Sequence, residues 1–377
     1  MFGMEEDDFS FRDALPNGPM HRRGAGLNPG NRFETFRLHV LGEEIDRQWV
    51  ERASGEGPPD RVERQVFFDR TKRIINQVAK TSDVPFDWTV NPYRGCEHGC
   101  IYCFARPYHE FLGFSCGLDF ETKLMAKPDA PELLRRELGS PNWRPEPIVM
   151  SAITDIYQPI EHQMRIARGC LEVMAECGQP VSTMTKSALV LRDTDLWARM
   201  AEMNTGRVTV TLVTLDTDLA QKLEPRASSP AGRLRAIREL TKAGVTVTVN
   251  VAPIIPGLTD TELPKILEAV AEAGARRAAW VLLRLPYQLK DLFLDWLQRC
   301  VHPERAKKVE SLLRQARGGK LYESRYASRR KGRGPIVEQI AKTFDVFTRR
   351  YGLNRDIRPL STAHFRRPDA GGQMRLF

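Results

Sequence analysis

Between residues 86 and 286 six short runs rich in β-branched residues alternate with amphipathic stretches, and that alternation confines the chain to repeated βα units around a parallel sheet. The predicted strands are 87–90, 147–153, 180–185, 207–213, 245–252 and 278–285. Between them Ile166, Cys170, Val173 and Cys177, and again Leu263, Ile266, Leu267 and Val270, recur at helical spacing, so each set lines one helix face against the sheet. Gly178 and Gly244 stand where helix ends are expected. Right-handed crossovers curl six such units into an open, partial barrel of α/β class, with catalytic loops at the carboxyl ends of the strands.

The flanking segments have a different texture. Residues 1–57, rich in Gly, Pro, Arg and acids, are expected to form a flexible leader, and 58–85 a lead-in to the core at 86–286. From 287 to 358 the pattern becomes helical: Ala306, Val309, Leu313 and Ala316 share one face, and Ile336, Ile340, Phe344, Phe347 and Tyr351 another. Residues 359–377 are polar and expected to be extended. From Glu304 onward 19 Lys and Arg face 7 Asp and Glu, a local charge of +12 in a chain of formal charge +9. With 41% hydrophobic and 28% charged residues the chain can bury a sizeable core, which excludes a wholly disordered protein. No apolar run approaches the ~20 residues of a membrane span, and the acidic amino terminus lacks the order of a signal peptide. A cytoplasmic protein with no membrane partner is expected.

The seven cysteines are odd in number, and three fall within eight residues: Cys96-Glu-His-Gly-Cys100-Ile-Tyr-Cys103. A disulfide framework has little use for that spacing, whereas a metal centre does. The loop follows the first predicted strand, and three thiolates so close can grip three corners of an iron-sulfur cube, leaving one iron open to a small molecule. Zinc with His98 or His109 as fourth ligand is the alternative, and three buried thiols without metal the other. Cys170 and Cys177 share an apolar helical face and read as core; Cys116 and Cys300 carry no metal spacing.

The same spacing, with the aromatic Tyr102 directly before the third cysteine, resembles the signature of the radical S-adenosylmethionine (SAM) superfamily, and the likeness runs from about residue 85 to 286. It implies a partial (β/α)6 TIM-like barrel of the radical SAM type, here with a basic helical carboxyl-terminal extension. It also implies a [4Fe-4S] cluster on Cys96, Cys100 and Cys103, with SAM chelated by the open iron. An electron donor then drives cleavage of SAM to a 5′-deoxyadenosyl radical, which abstracts a hydrogen atom from substrate. Within the superfamily the sequence is similar to spore photoproduct lyase and to relatives labelled DNA repair photolyases. Four segments carry this: Thr154-Asp155, Thr185-Lys186, Leu223-Glu224-Pro225 and Val251-Ala252-Pro253-Ile254. By that likeness Thr154 contacts the methionine part of SAM with Asp155 beside it, Lys186 the carboxylate and Thr211 the ribose, while Tyr102 packs near the adenine. Asp155 and Glu224 have a second reading, each as the cap of a following turn or helix. Two positions depart from the pattern. Where spore photoproduct lyases carry a cysteine hydrogen donor and a tyrosine, this chain has Ala152 and Phe104, neither of which holds a labile hydrogen. Cys116 and Tyr108 are the nearby substitutes, and no side chain is singled out as catalytic.

Residues 325–333 place Arg325, Arg329, Arg330, Lys331 and Arg333 around one tyrosine and one glycine, a composition that attracts phosphate backbones. The last five residues, from Gln373 through Leu376 and Phe377, resemble the Q-x-x-L-F peptide that docks on bacterial sliding clamps. The leading expectation is a radical SAM enzyme acting on nucleic acid, in DNA repair or modification. A radical SAM enzyme for a small molecule or peptide, and a non-catalytic iron-sulfur protein that binds nucleic acid or clamp, are the alternatives.

Overall fold

The computed structural model describes residues 22–33, 64–79, 84–150, 153–323 and 329–368 of the 377-residue chain. Among the described residues ten strands form two sheets: β1 (Gln65–Phe68), β2 (Ile75–Gln77), β3 (Trp88–Val90), β4 (Tyr93–Arg94), β5 (Lys123–Ala126), β6 (Ile148–Met150), β7 (Val181–Thr185), β8 (Gly206–Thr211), β9 (Val247–Ile254) and β10 (Arg277–Leu282). The larger sheet runs β10-β9-β8-β7-β6-β3-β2. Its six strands from β3 to β10 are parallel neighbours in chain order, as expected for successive βα units, and β2 adds an antiparallel edge. The sheet is open, the wall of a partial barrel. A smaller sheet, β1-β5-β4, sits beside it.

All six predicted strands are present, their ends differing by up to three residues from those expected; β8 and β10 start one residue earlier and β9 runs two residues further. Their alternation explains their placement. In β9 Val247, Val249 and Val251 are buried, and in β8 Val208 and Val210 are, while Thr209 and Thr248 share a cross-strand hydroxyl hydrogen bond of 2.7 Å. The crossover helices bury the anticipated faces: Ile166, Cys170 and Val173 on Ile166–Glu176, with Cys177 just past its end, and Leu263, Ile266, Leu267 and Val270 on Leu263–Glu272. Each fully buried aliphatic side chain contributes about 1.5–3 kcal/mol relative to exposure, so these faces hold the helices on the sheet.

The carboxyl-terminal part closes two exposures. Helix Pro335–Arg350 buries Val337 and Ile340, with Ile336, Phe344, Phe347 and Tyr351 partly buried on the core. Backbone groups of Leu353 and Arg330 accept from Ala278 and Leu282, covering the free edge of β10. Helix Pro303–Gln315 buries Ala306, Val309 and Leu313. Residues 359–368 carry no helix or strand and run across the amino ends of β6, β7 and β8. There Ser361 N donates to Asn204 O, Arg366 N to Cys177 O, and Arg367 to the carbonyls of Ser140, Pro141 and Trp143. No helix among the described residues is long and apolar enough to cross a membrane.

Candidate active site

The cysteine loop leaves β4 at the carboxyl end of the sheet. Its turn is made by Gly95 and Gly99, at φ +76° and +67°, where a side chain would be strained; a Cβ on Gly99 would also stand 2.7 Å from the Glu121 carboxylate. Cys96 and Cys100 are buried, Cys103 is half-buried, and all three are free thiols. Burial, together with neighbouring negative groups, pushes the Cys100 and Cys103 thiols up, so a bound cation must draw off their protons before they ligate.

A buried ion pair braces this loop. Arg106 donates to the carbonyls of Cys100 (3.0 Å), Gly99 (3.2 Å), Cys116 (3.3 Å) and Gly117 (2.7 Å), and to the Glu121 carboxylate at 2.5 Å. Burial alone would lower the Arg106 guanidinium, but Glu121 outweighs it and the group stays charged. The same Glu121 accepts from the backbone N–H groups of Gly24 and Ala25, at 3.1 and 2.9 Å. Residues 22–33, which the sequence places in the leader, thereby lie as a strap over the loop. Asn28 bonds Asp119, Asn31 bonds Glu110 O, and Gln288 bonds Gly30 O. A Cβ on Gly24 would stand 1.9 Å from Gly99 O, so only glycine lets the strap come this close. From the other side Gln158 holds Glu97 N and Gly95 O.

Two of the expected SAM residues, Tyr102 and Asp155, lie beside Lys186. Its ammonium lies 6.0 Å from the Tyr102 ring centroid; burial would lower it, but Cys100, Glu224, Cys103 and Asp155 together raise it. Glu224 ion-pairs with buried Arg233 and accepts from the Tyr102 hydroxyl, so it is held ionised against its own burial. This places the Glu224 side chain in a buried charge network, while its backbone forms the C-cap of helix Thr217–Leu223, donating to Ala220 O. The Asp155 carboxylate accepts from the Thr185 hydroxyl (2.8 Å) and from the Lys186 and Tyr157 amides (2.7 and 2.9 Å), and pairs with His98 Nδ1 at 3.3 Å. Burial opposes its charge, but His98 and those donors lower its pKa. Thr211, at the end of β8, is buried, and its hydroxyl has no hydrogen-bond partner. Its carbonyl accepts from Arg233, the partner of Glu224, and an orphaned buried hydroxyl is an unmet demand for a partner. Buried Thr154 donates to Tyr93 O at 3.2 Å.

His98 is engaged by Asp155, and His109 lies in an aromatic nest, 5.3 Å from Phe114 and 5.6 Å from Phe120 by ring centroids. Among the described residues no three His, Cys, Asp and Glu side chains meet as one metal ion would require. Cys116 is buried 3.6 Å from Gln288 Oε1, and Tyr108 is exposed. Arg329 lines a cavity of about 160 Å³ together with Phe104, the residue after Cys103, so part of the basic loop adjoins the cysteine site. Arg330 supplies the carbonyl on β10, Arg333 pairs with Glu323 at 3.1 Å, and Lys331 is exposed. Ala152, Arg325, Gln373, Leu376 and Phe377 lie outside the described residues. Sequence reasoning missed Arg106, Glu121 and the strap. Arg106 had one visible signal, a cation three residues past the last clustered cysteine, and Glu121 had none.

The family model described as the Radical SAM superfamily matches residues 90–270. An uncharacterized protein of Mycobacterium tuberculosis is 38% identical over 245 residues, covering 64% of this chain and 72% of that protein. A Radical SAM Nalpha-GlyT isomerase of Pseudomonas phage M6 is 24% identical over 236 residues, covering 60% and 46%. Among solved structures, a point mutant of spore photoproduct lyase superposes with a TM-score of 0.55 at 16% identity, over 76% of this chain and 79% of that one. Spore photoproduct lyase complexed with dinucleoside spore photoproduct gives 0.54 at 15% identity, over 82% and 92%. These likenesses are of fold.

Proposed function

Because this chain belongs to the radical SAM superfamily, whose enzymes use a [4Fe-4S] cluster and SAM, we propose that Cys96, Cys100 and Cys103 hold the cluster and that the Lys186 neighbourhood holds SAM. When bound, the reduced cluster supplies the electron that splits SAM into methionine and a 5′-deoxyadenosyl radical. The chain's own residues do the positioning. Lys186 offers its ammonium to the SAM carboxylate, a charge-assisted contact. Thr211 gives its unpaired hydroxyl to the ribose, Thr154 lines the methionine side, and Tyr102, tethered through Glu224 to Arg233, presents a fixed ring to the adenine. Asp155 acts one step back, orienting the Lys186 backbone and His98.

The observation that carries this reading is the placement of buried Lys186 beside Cys100, Cys103 and the Tyr102 ring, with the buried carboxylates of Glu224 and Asp155 around it. The test is anaerobic reconstitution followed by paramagnetic resonance of the dithionite-reduced cluster. Adding SAM is expected to change the spectrum of the wild type, and Lys186→Ala to require at least about tenfold more SAM for the same change. A spectrum indifferent to SAM, or a preparation holding zinc, overturns the assignment.

For the substrate we favour nucleic acid. The support is the meeting of the basic 329–333 segment with the cavity beside Phe104, in a fold shared with an enzyme whose structure contains a dinucleoside photoproduct. Binding of oligonucleotides that weakens steeply with salt is expected. The segment ending in Gln373, Leu376 and Phe377 is proposed as a clamp-docking peptide, and its deletion is expected to abolish binding to a sliding clamp while SAM cleavage continues.

A further inference from the structure

Five groups at the rim of the cysteine site form one stacked strip. The Arg32 guanidinium lies 3.8 Å from the Tyr287 ring centroid and 4.7 Å from that of Phe33. Phe33 stacks on Phe111 at 5.0 Å, and Phe111 adjoins Tyr108 at 6.3 Å. Their exposures are 58% for Tyr287, 55% for Phe33, 65% for Phe111 and 53% for Tyr108, and Phe104 beside them is 45% exposed. Large rings exposed singly are ordinary, but a contiguous run of them marks a binding surface. The strip draws on three distant parts of the chain: the strap, the turn that includes Arg106–Leu112, and the segment after β10. It therefore exists only in the folded protein, at the mouth of the cavity lined by Phe104, Arg284 and Arg329.

The charge around the strip limits what can cover it. Arg284 lies 5.7 Å from the Phe104 ring centroid. Beyond Tyr322 a second cleft of about 400 Å³ is lined by Arg317, Lys320 and Arg333. Burial, and then the like charge of Arg284, draw the buried Arg317 guanidinium down to about 10, against the pull of Tyr322 and Glu323. A wholly apolar partner would desolvate the exposed Lys320 and the half-buried Arg284 without answering their charge. A chain with both flat π-faces and phosphates answers both demands. Double-stranded nucleic acid has phosphates but hides its base faces within the stack. Unpaired bases present theirs.

The geometry points to the Tyr287–Arg32–Phe33–Phe111–Tyr108 strip as a stacking platform for unpaired bases of a single-stranded nucleic acid, whose phosphates run toward Arg284 and the exposed Lys320. This rests on the nucleic-acid reading above and adds the strandedness of the substrate and the residues that select it. Successive bases lie against successive rings, and the strand passes the cavity beside Phe104, next to Cys103.

The experiment measures fluorescence anisotropy of labelled oligothymidylate of roughly a dozen nucleotides, of the same oligonucleotide in a duplex, and of its ribonucleotide counterpart, on reconstituted holoenzyme. Single strands are expected to bind about tenfold tighter than duplex, with the deoxyribo and ribo arms telling which sugar is preferred. Phe111→Ala and Tyr287→Ala are each expected to weaken single-strand binding by about 5- to 100-fold, with cluster absorbance and circular dichroism unchanged. Arg284→Gln is expected to lower the salt dependence instead. Val346→Ala, an exposed change on helix Pro335–Arg350, leaves affinity unchanged. Duplex binding as tight as single strand, with Phe111→Ala silent, overturns the platform while the nucleic-acid reading survives. Absence of binding to any oligonucleotide overturns both. A dimer that Phe111→Ala splits without altering oligonucleotide affinity assigns the strip to a second copy of the chain and also overturns it.

Discussion

The two ends of the parallel sheet are built on opposite principles. At the amino ends of β6 to β8 polar groups, Arg207 Nε excepted, are largely paired off: Gln179 accepts from Trp143 Nε1 and donates to the carbonyls of Glu146 and Pro180, and the 359–368 segment seals the surface through Arg366 and Arg367. At the carboxyl ends the Thr211 hydroxyl has no partner, Lys186 sits beside the Cys100 and Cys103 thiols, and large rings stand in solvent. Paired groups give stability. Unpaired groups held in place by a rigid frame are what a ligand can complete, and the difference separates the scaffold from the site.

The comparison can be broken most sharply at the cysteine loop. Cys100→Ala is expected to reduce 5′-deoxyadenosine formation to background while the fold stays intact, because burying an alanine there costs little; liquid chromatography of anaerobic reactions with dithionite and SAM reads the result. Retained turnover would remove that residue from the cluster. Next in size is the brace. Arg106→Met leaves the Glu121 carboxylate buried without its cation, and should cost about 3–5 kcal/mol in urea unfolding and lower the iron bound per chain.

A pH effect of similar order belongs to the same end. Burial draws His109 from 6.5 down to about 4. The unfolded chain takes up a proton that the folded chain refuses, so stability is lost as pH falls through 6.5 toward 4, by on the order of 3 kcal/mol at the lower limit. His109→Phe should remove that part of the slope in melting temperatures recorded against pH; superimposable curves for the two proteins would count against a buried neutral imidazole.

The smallest effects sharpen the contrast best, because they move in opposite senses. Thr211→Val removes a hydroxyl that bonds nothing, so stability should stay within about 0.5 kcal/mol, while SAM affinity in a resonance titration drops about 5- to 10-fold. Gln179→Leu should do the reverse, costing about 1–3 kcal/mol of stability by stranding Trp143 Nε1 and two carbonyls, with SAM binding unchanged. If both variants lose stability alike, the division between scaffold end and site end fails.

Legibility follows the range of the interactions. The six core strands and the helix faces are readable because each depends on residues two to four positions apart, and the buried valines of β9 repeat that period. β1, β2, β4 and β5 are not: β3 and β6 are as short, but those belong to the repeating alternation of strand and helix, and these four fall outside it. Glu224 reads in sequence as a possible cap because only its near neighbours are visible there; its partner Arg233 lies nine residues away and Tyr102 lies 122 away, beyond any local pattern. The strap reads as leader because Gly- and Pro-rich segments lack periodicity. Its contacts to Glu121 span 96 and 97 residues.

The sequence by itself determined the spacing of the three thiols, the order of the βα units and the basic character of the carboxyl-terminal part, since each is a property of neighbouring residues. Only the tertiary structure decided which buried charges are matched with partners and which polar groups are left for a ligand. That distinction depends on groups brought together across a hundred or more residues, and on desolvation, which no residue carries until the rest of the chain has closed around it.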